Sequence, residues 1–462
     1  MKRFINRDRE LKALNDQYDA EGASFMVIYG RRRIGKTTLI KEFIKDKKAL
    51  YFLAKNELEA DSMKRFAEAL SDYIGQDYLK NVNFRNWQNY FDVFSEYKQN
   101  EKKLLIIDEL PYMVDINPDF PGILKWCWDE RFQDENIMLI LSGSLINMME
   151  KQTLNYNSPL YGRRTGQIKL KQIDFMHYDK FYENMLYRDL VEHYAVTGGV
   201  PRYIELFDPQ KELFDEISRL MLSSDGLLFE EPEFLLRHEV KEIGSYFSII
   251  RSIAAGNHKP SSICADIGIK QTSIPKYLKT LIDLDILERE VPVTENNPEK
   301  SKMSLYQIKD NFLRFWFRFV YPERGRLELG QSEYVLDKIK ANFVDNHLAF
   351  IYENVCRSEL WRLAIAGELQ FNKLGRWWNS KAEIDIVALD SVGGDIIFAE
   401  CKCRNQPMDV DAYYALLDKK DLVPWKKETR KERFVLFSIS GFTSRLLDLA
   451  RTRDDLLLVG KA

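Results

Sequence analysis

The apolar positions of this chain fall into several distinct periods. Short, nearly continuous apolar runs, FMVIYG at 25–30, LLIIDE at 104–109 and IMLILSGS at 137–144, read as buried strands. TLIKEFIKDK at 38–47, DLVEHYAVTG at 189–198 and KELFDEISRLML at 211–222 carry one apolar face at helical spacing. GSYFSIIRSIAAG, PSSICADIG and SIPKYLKTLIDLDILERE then predict three helices over 244–290, with Ser273 as the cap of the third and Pro275 in its first turn. The following VPVTENNPEKSKMSLYQIKD, 291–310, predicts two strands around a polar turn. NFLRFWFRFVYP, 311–322, is an aromatic stripe expected in the core, with Arg314 and Arg318 snorkelling from it. A helix over 341–363 precedes two further strands, AEIDIVAL and IIFAECKCR, joined by the turn SVGGD.

Composition changes this picture little. A length of 462 residues with 45% hydrophobic content suits about three domains. No apolar run approaches the roughly 18 residues of a membrane helix, and MKRFINRDRE lacks a hydrophobic signal core, so no membrane partner and a cytoplasmic location are expected. Five cysteines, an odd number, suit reduced thiols. A formal charge of -3 argues neither for nor against nucleic acid, because the local distribution of basic residues decides phosphate contact.

The chemistry begins after the first strand. Gly30, four residues, then Gly35, Lys36 and Thr37 form the spacing of a phosphate loop. Its backbone N–H groups, from Arg31, Arg32, Arg33 and Ile34 onward to Thr38, would cradle the phosphates of ATP; Lys36 would reach the β and γ oxygens and Thr37 would bind Mg²⁺. Such a loop needs a neighbouring strand that ends in acid. LLIIDE supplies Asp108 to hold Mg²⁺ through water and Glu109 to position or deprotonate the attacking water. Ser142 or Ser144 would bond the γ-phosphate or the water, or else cap the next helix. In SPLYGRRTGQIKLKQ, Arg163 could stabilise transition-state charge, in cis or from a neighbouring subunit; a basic surface turn is the alternative.

FINRDREL, YGRRRIGKT, LLIIDELPYM, LILSGS, LYGRR and TGGVPRY, in that order, resemble the archaeal-type ATPase family, relatives of the AAA+ and STAND nucleotide switches. The resemblance covers about the first half of the chain. It implies that Asn6 to Glu10 lie near the adenine, that Arg163 is a finger-like arginine, that Pro201 touches the base from a helical lid, and that Arg202 senses the γ-phosphate. The second region of homology of AAA+ motors is not traceable, so processive motor action is not implied.

The three middle helices with the two strands after them read as a winged helix-turn-helix. Lys270, Gln271, Thr272 and Lys276 would face DNA, with Lys300 and Lys302 on the wing; internal packing is the alternative. In the last quarter, Glu353 lies on a helix, Asp385 on a strand, and Glu400 and Lys402 on the next strand, whose alternation sends Cys401 and Cys403 to the opposite face. Three carboxylates suit Mg²⁺, with Lys402 orienting a metal-bound water or stabilising a cleaved phosphodiester. This ordered set resembles the restriction-endonuclease-like PD-(D/E)xK fold. The basic residues Lys419, Lys420, Lys426, Lys427, Arg430, Lys431 and Arg433 are either phosphate contacts or a solvated face.

The expected architecture is α/β: a P-loop NTPase parallel sheet over 1–185, a helical lid over 186–240, a winged helix-turn-helix over 241–330 and a restriction-endonuclease-like α/β domain over 335–462. The expected function is an ATP-binding and ATP-hydrolysing switch with a metal-dependent nuclease-like domain. Its partners would be ATP, DNA or RNA, and further copies of itself in a homo-oligomer. The alternative is a nucleotide-controlled DNA-binding regulator or interaction scaffold whose nuclease-like domain is inactive.

Overall fold

The computed structural model describes residues 4–237 and 239–460. Residues 1–3 of the opening segment, read above as lacking a signal core, lie outside them. The chain divides into two compact units: one reaches to Gln172 and takes in Val200–Arg202, the other comprises Ile173–Gly199 and the chain from Tyr203 onward.

The first unit is built on a five-stranded sheet of β1 (Ser24–Tyr29), β2 (Ala49–Leu53), β3 (Lys103–Asp108), β4 (Ile137–Gly143) and β5 (Gly166–Lys169). The strand order is β2-β3-β4-β1-β5 and every pairing is parallel. β1, β3 and β4 are buried along their whole length, which is why their sequences are unbroken apolar runs. β2 and β5 are the edges, where burial alternates or lapses, and their sequences carry the weaker signal. Helix α1 (Lys36–Phe43) leaves the end of β1 through the glycine loop and packs Leu39, Ile40 and Phe43 against the sheet.

In the second unit, α2 (Ile243–Ala254), α3 (Pro260–Ile267) and α4 (Ile274–Asp283) are followed by an antiparallel ribbon of β6 (Leu287–Glu290) and β7 (Leu305–Ile308). The ribbon begins earlier than expected: α4 stops at Asp283, and the left-handed Asp285 (φ 55°) turns LERE, expected as helix, into a strand. Ser273 stands at the start of α4 but its side chain makes no capping bond. The aromatic stripe is core as expected, with Phe312, Phe315, Trp316 and Phe317 buried. Of its two arginines, Arg314 does not snorkel. Arg314 stacks over Phe350 at 3.6 Å, and burial pushes its guanidinium down to about 10. Arg318 donates to the Ala254 carbonyl at 2.9 Å.

The C-terminal part carries helix α5 (Ala349–Ile365) and a mixed sheet of β8 (Lys373–Trp378), β9 (Glu383–Leu389), β10 (Ile396–Lys402), β11 (Glu432–Ser438) and β12 (Leu456–Val459), in the order β12-β11-β10-β9-β8. β9 runs antiparallel to β10, whereas β10, β11 and β12 are parallel. Helix α6 (Val410–Lys420) packs Val410, Tyr413 and Leu416 into the core under Phe398 and Phe434. The basic tract beyond it is structural in part: Arg430 is buried, donates to the carbonyls of Lys420, Val423 and Trp425, and pairs with Glu432 at 2.8 Å. Among the described residues no helix is long and apolar enough to cross a membrane.

Candidate functional site

The carboxyl ends of β1, β3 and β4 meet at the glycine loop, the crevice where ligands bind in open parallel sheets. Gly30 is required there by close approach: a Cβ would lie 2.5 Å from the Leu170 carbonyl oxygen. Left-handed Arg33 (φ 67°) and Gly35 (φ 97°) flank Ile34 and curl successive backbone N–H groups inward, the geometry that receives an anion at the start of α1. Lys36 is buried and donates to the carbonyls of Gly30 at 2.9 Å and Arg31 at 3.0 Å, which pins its ammonium over the loop. Arg32 reaches the Tyr112 hydroxyl at 3.2 Å. Arg7, from the segment expected near the adenine, donates to the carbonyls of Ile34 at 3.2 Å and Lys171 at 2.7 Å, tying the loop to the chain just beyond β5.

Asp108 ends β3, fully buried. Its Oδ2 accepts the Thr37 hydroxyl at 2.9 Å and the Tyr51 hydroxyl at 2.8 Å, and its Oδ1 accepts the Glu109 backbone N–H at 3.1 Å. A hydroxyl and a carboxylate in contact at the loop are hard oxygen donors of the kind Mg²⁺ takes together with phosphate oxygens and water. Glu109 adopts a left-handed backbone (φ 59°), and its carboxylate lies against Ser144: the Ser144 hydroxyl donates at 2.9 and 2.7 Å and the backbone N–H at 3.1 Å. Of the two candidate serines, Ser144 thus touches the acid. Ser142 is level with Ile28 of β1, fully buried, and its hydroxyl has no hydrogen-bond partner among the described residues.

Arg163 sits elsewhere in the first unit. Its guanidinium makes a two-bond fork to Asp129, at 2.6 and 2.7 Å, and a further nitrogen reaches the carbonyls of Pro159 and Tyr161. The fork holds the Asp129 carboxyl below its usual range. Pro201 opens the short helix Pro201–Ile204 and, with Arg202, belongs to the first unit.

In the C-terminal sheet the β9–β10 pairing ends at Ile386↔Ala399, and the β8–β9 register shifts between Gly375↔Val387 and Trp377↔Ile384, so Asp385 sits at an irregularity of β9. Glu400 is buried and bonded to Lys402 at 2.6 Å and Lys419 of α6 at 3.4 Å. Its neighbour Cys401 faces the other way: its thiol bonds that of Cys356 on α5, and burial pushes both thiols up. Glu353, one turn before Cys356 on α5, therefore approaches from the face of β10 opposite to Glu400. It pairs there with Arg376 of β8, which also holds Glu383 at 3.0 Å. Asp385 accepts the Cys401 backbone N–H on its Oδ2 at 2.9 Å. Burial pushes Glu353 up to about 7 against the pull of Arg376, and burial with the charge of Glu400 raises Asp385.

The three carboxylates expected to share one magnesium are thus not brought together. Among the described residues no group of three His, Cys, Asp or Glu side chains is placed to hold a metal ion. Arginine and lysine supply the positive charge instead. Arg376 and Tyr51 were absent from the sequence-derived site, and Lys419 was read only as a phosphate contact or a solvated residue. Tyr51 and Lys419 act across strand and helix neighbours, and only the tertiary fold makes them adjacent.

A parallel sheet, a glycine loop gripping its own lysine, and an acid-ended neighbouring strand define an ATPase domain of the P-loop class. A family profile of ATPase domains found predominantly in Archaea matches residues 4–207, and a second, of archaeal and bacterial proteins of unknown function, matches 316–414. The uncharacterized protein MJECL04 of Methanocaldococcus jannaschii is 34% identical over 420 residues, 90% of this chain and 91% of that one. The uncharacterized ATP-binding protein MJ0423 of the same organism is 47% identical over 45 residues, 10% of this chain and 76% of that one. Among solved structures, the Walker-type ATPase PABY2304 of Pyrococcus abyssi aligns with a TM-score of 0.51 at 18% identity, over 68% of this chain and 96% of its own, a likeness of fold. The chain belongs to the family of MJECL04, and it joins an archaeal-type P-loop ATPase domain to this C-terminal domain.

Proposed function

We propose that the protein binds ATP with Mg²⁺ at the glycine loop and hydrolyses it as a conformational switch. The observation that carries this reading is the 2.9 Å contact of Thr37 with Asp108 beside a Glu109 oriented by Ser144. The loop N–H groups and Lys36 hold the phosphates, and Thr37 and Asp108 hold the ion. Bound there, Mg²⁺ would supply charge neutralisation on the phosphates. Glu109 takes a proton from the attacking water, and Ser142 meets the γ-phosphate or that water. Arg163 would have to leave Asp129 before it could touch a nucleotide, so it has no part in this proposal. The test is nucleotide binding and phosphate release by the full chain. Lys36→Ala should abolish tight binding, whereas Glu109→Gln should bind and turn over poorly; normal turnover by Glu109→Gln would remove the assigned base.

For the remainder of the chain we propose a winged-helix module and a nuclease-like effector domain governed by nucleotide state, without cleavage activity in the arrangement described. The separation of Glu353 from Glu400 across β10, with each carboxylate already paired to internal cations, favours this over a metal-dependent nuclease. Lys270, Gln271, Thr272 and Lys276 are exposed around the start of α4 and are the proposed contacts for DNA or RNA. Plasmid incubated with the protein and Mg²⁺ or Mn²⁺ tests both points. Salt-sensitive binding without nicking fits the proposal, and nicking that disappears in Lys402→Ala would overturn it.

A further inference from the structure

Tyr51 lies outside both the glycine loop and the acid-ended strand, on the edge strand β2. β2 runs parallel to β3 with Tyr51 level with Ile106 and Leu53 level with Asp108. Alternate residues share a face, so the Tyr51 ring leans one residue pair along β3 to place its hydroxyl 2.8 Å from Asp108 Oδ2. That oxygen is the one that accepts the Thr37 hydroxyl at 2.9 Å. A carboxylate with no exposure needs hydrogen-bond donors, and Asp108 has three: Thr37, Tyr51 and its neighbour's N–H.

We propose that Tyr51 is a positioning residue for the magnesium–nucleotide site, fixing Asp108 Oδ2 against Thr37 so that hydroxyl and carboxylate are presented to the ion as one preformed oxygen pair. This rests on the ATP·Mg²⁺ reading above. The terminal torsion of an aspartate is broad and roughly two-fold, and Thr37 is itself needed by the ion. Tyr51 is the partner that does not have to leave. It anchors Asp108 from the neighbouring strand β2, and it can keep its bond when Thr37 turns a lone pair to the metal.

A purely structural Tyr51, bracing β2 against β3, would affect folding and all nucleotide binding alike. The two roles separate in the Mg²⁺ dependence of nucleotide affinity. A fluorescent ATP analogue is titrated into the full chain, wild type and Tyr51→Phe, first in EDTA and then across a Mg²⁺ series. The expected result is an EDTA affinity within about twofold of wild type and a Mg²⁺ midpoint raised about tenfold, the scale of one hydrogen bond to a charged acceptor. In an Asp108→Asn background Tyr51→Phe should add no further shift. A Mg²⁺ curve superimposable on wild type overturns the proposal, and so does an equal loss with and without the ion. Tyr51→Met, which also lacks the hydroxyl, carries the same expectation if the phenylalanine variant is insoluble. Wild-type protein that binds the analogue without responding to Mg²⁺ would instead refute the underlying reading, and this proposal with it.

Discussion

Both carboxylate oxygens of Glu109 close on the Ser144 hydroxyl, at 2.9 and 2.7 Å, and one of them also accepts the Ser144 backbone N–H. Glu109 starts a helix from a left-handed backbone, so its side chain depends on this contact for its direction. Ser144→Ala should lower the rate of phosphate release at saturating ATP about tenfold, the worth of one hydrogen bond to a charged group, while leaving nucleotide affinity near wild type. Steady-state phosphate release measures this. An unchanged maximal rate would mean that Ser144 does not position the acid.

The ion pair between Arg376 and Glu353 poses a question of stability rather than chemistry. Both side chains are largely buried, and Arg376 holds Glu383 as well. Removing one member of a buried pair strands the other, at a cost of about 3–5 kcal/mol, whereas replacing both with apolar residues is often neutral. Glu353→Leu alone should therefore lower the urea midpoint of the second unit clearly, and Glu353→Leu with Arg376→Met should recover most of the loss. A double variant as unstable as the single one would show that the charges serve the fold in a way apolar packing cannot.

The same acid sets a pH dependence. Glu353 is pushed up to about 7 by burial, and Asp385 and Glu288 are raised as well, each with burial as the first cause. Asp385 adds to the rise of Glu353, while Arg376 and Arg357 oppose it. At these acids the folded protein holds protons that the unfolded protein loses between the ordinary glutamate range and pH 7, so their contribution to stability falls as pH rises through that window. His193, His258 and His347, each pushed down by burial, act in the opposite sense below the ordinary histidine range. The share of Glu353 is therefore read as a difference between variants at pH 5, 6, 7 and 8. The wild-type urea midpoint minus that of Glu353→Gln should fall from pH 5 to pH 8, and a difference that rises would contradict the assignment.

What could be read in the sequence tracks how local the physics is. FMVIYG, LLIIDE and IMLILSG announce themselves because strands buried on both faces have to be apolar throughout, and the glycine spacing reports a backbone curl that few other residues permit. The contact of Thr37 with Asp108 follows from those two signals together. The position of Glu353 did not follow, because alternation along β10 places Glu400 and Cys401 on opposite faces but says nothing of which face α5 covers. That was settled by Cys356 meeting Cys401. Edge strand β2 was missed for the same kind of reason: a half-buried ALYFL has no period strong enough to separate it from a loop, and Tyr51 was missed with it.

Val293 closes the account of the ribbon. It follows β6, donates its backbone N–H to the Arg376 carbonyl at 2.9 Å, and buries its side chain in the core of the C-terminal sheet. Lys373 donates to the Glu295 carbonyl at 3.2 Å, and Arg357 pairs with Glu290 at 2.7 Å, so the outgoing limb of the ribbon covers the exposed edge of β8. Its tip, with Lys300 and Lys302, stays exposed. A limb fixed in this way cannot follow a DNA groove independently of the sheet, and any nucleic-acid contact by the ribbon falls to the tip. Val293→Ala removes two methyl groups from the core, at about 1–3 kcal/mol, and should loosen the limb before it unfolds the unit. Limited trypsin digestion of the full chain should then cut after Lys300 and Lys302 several-fold faster than in wild type. Equal cleavage rates would mean that the limb is held by its ion pair and backbone bonds alone.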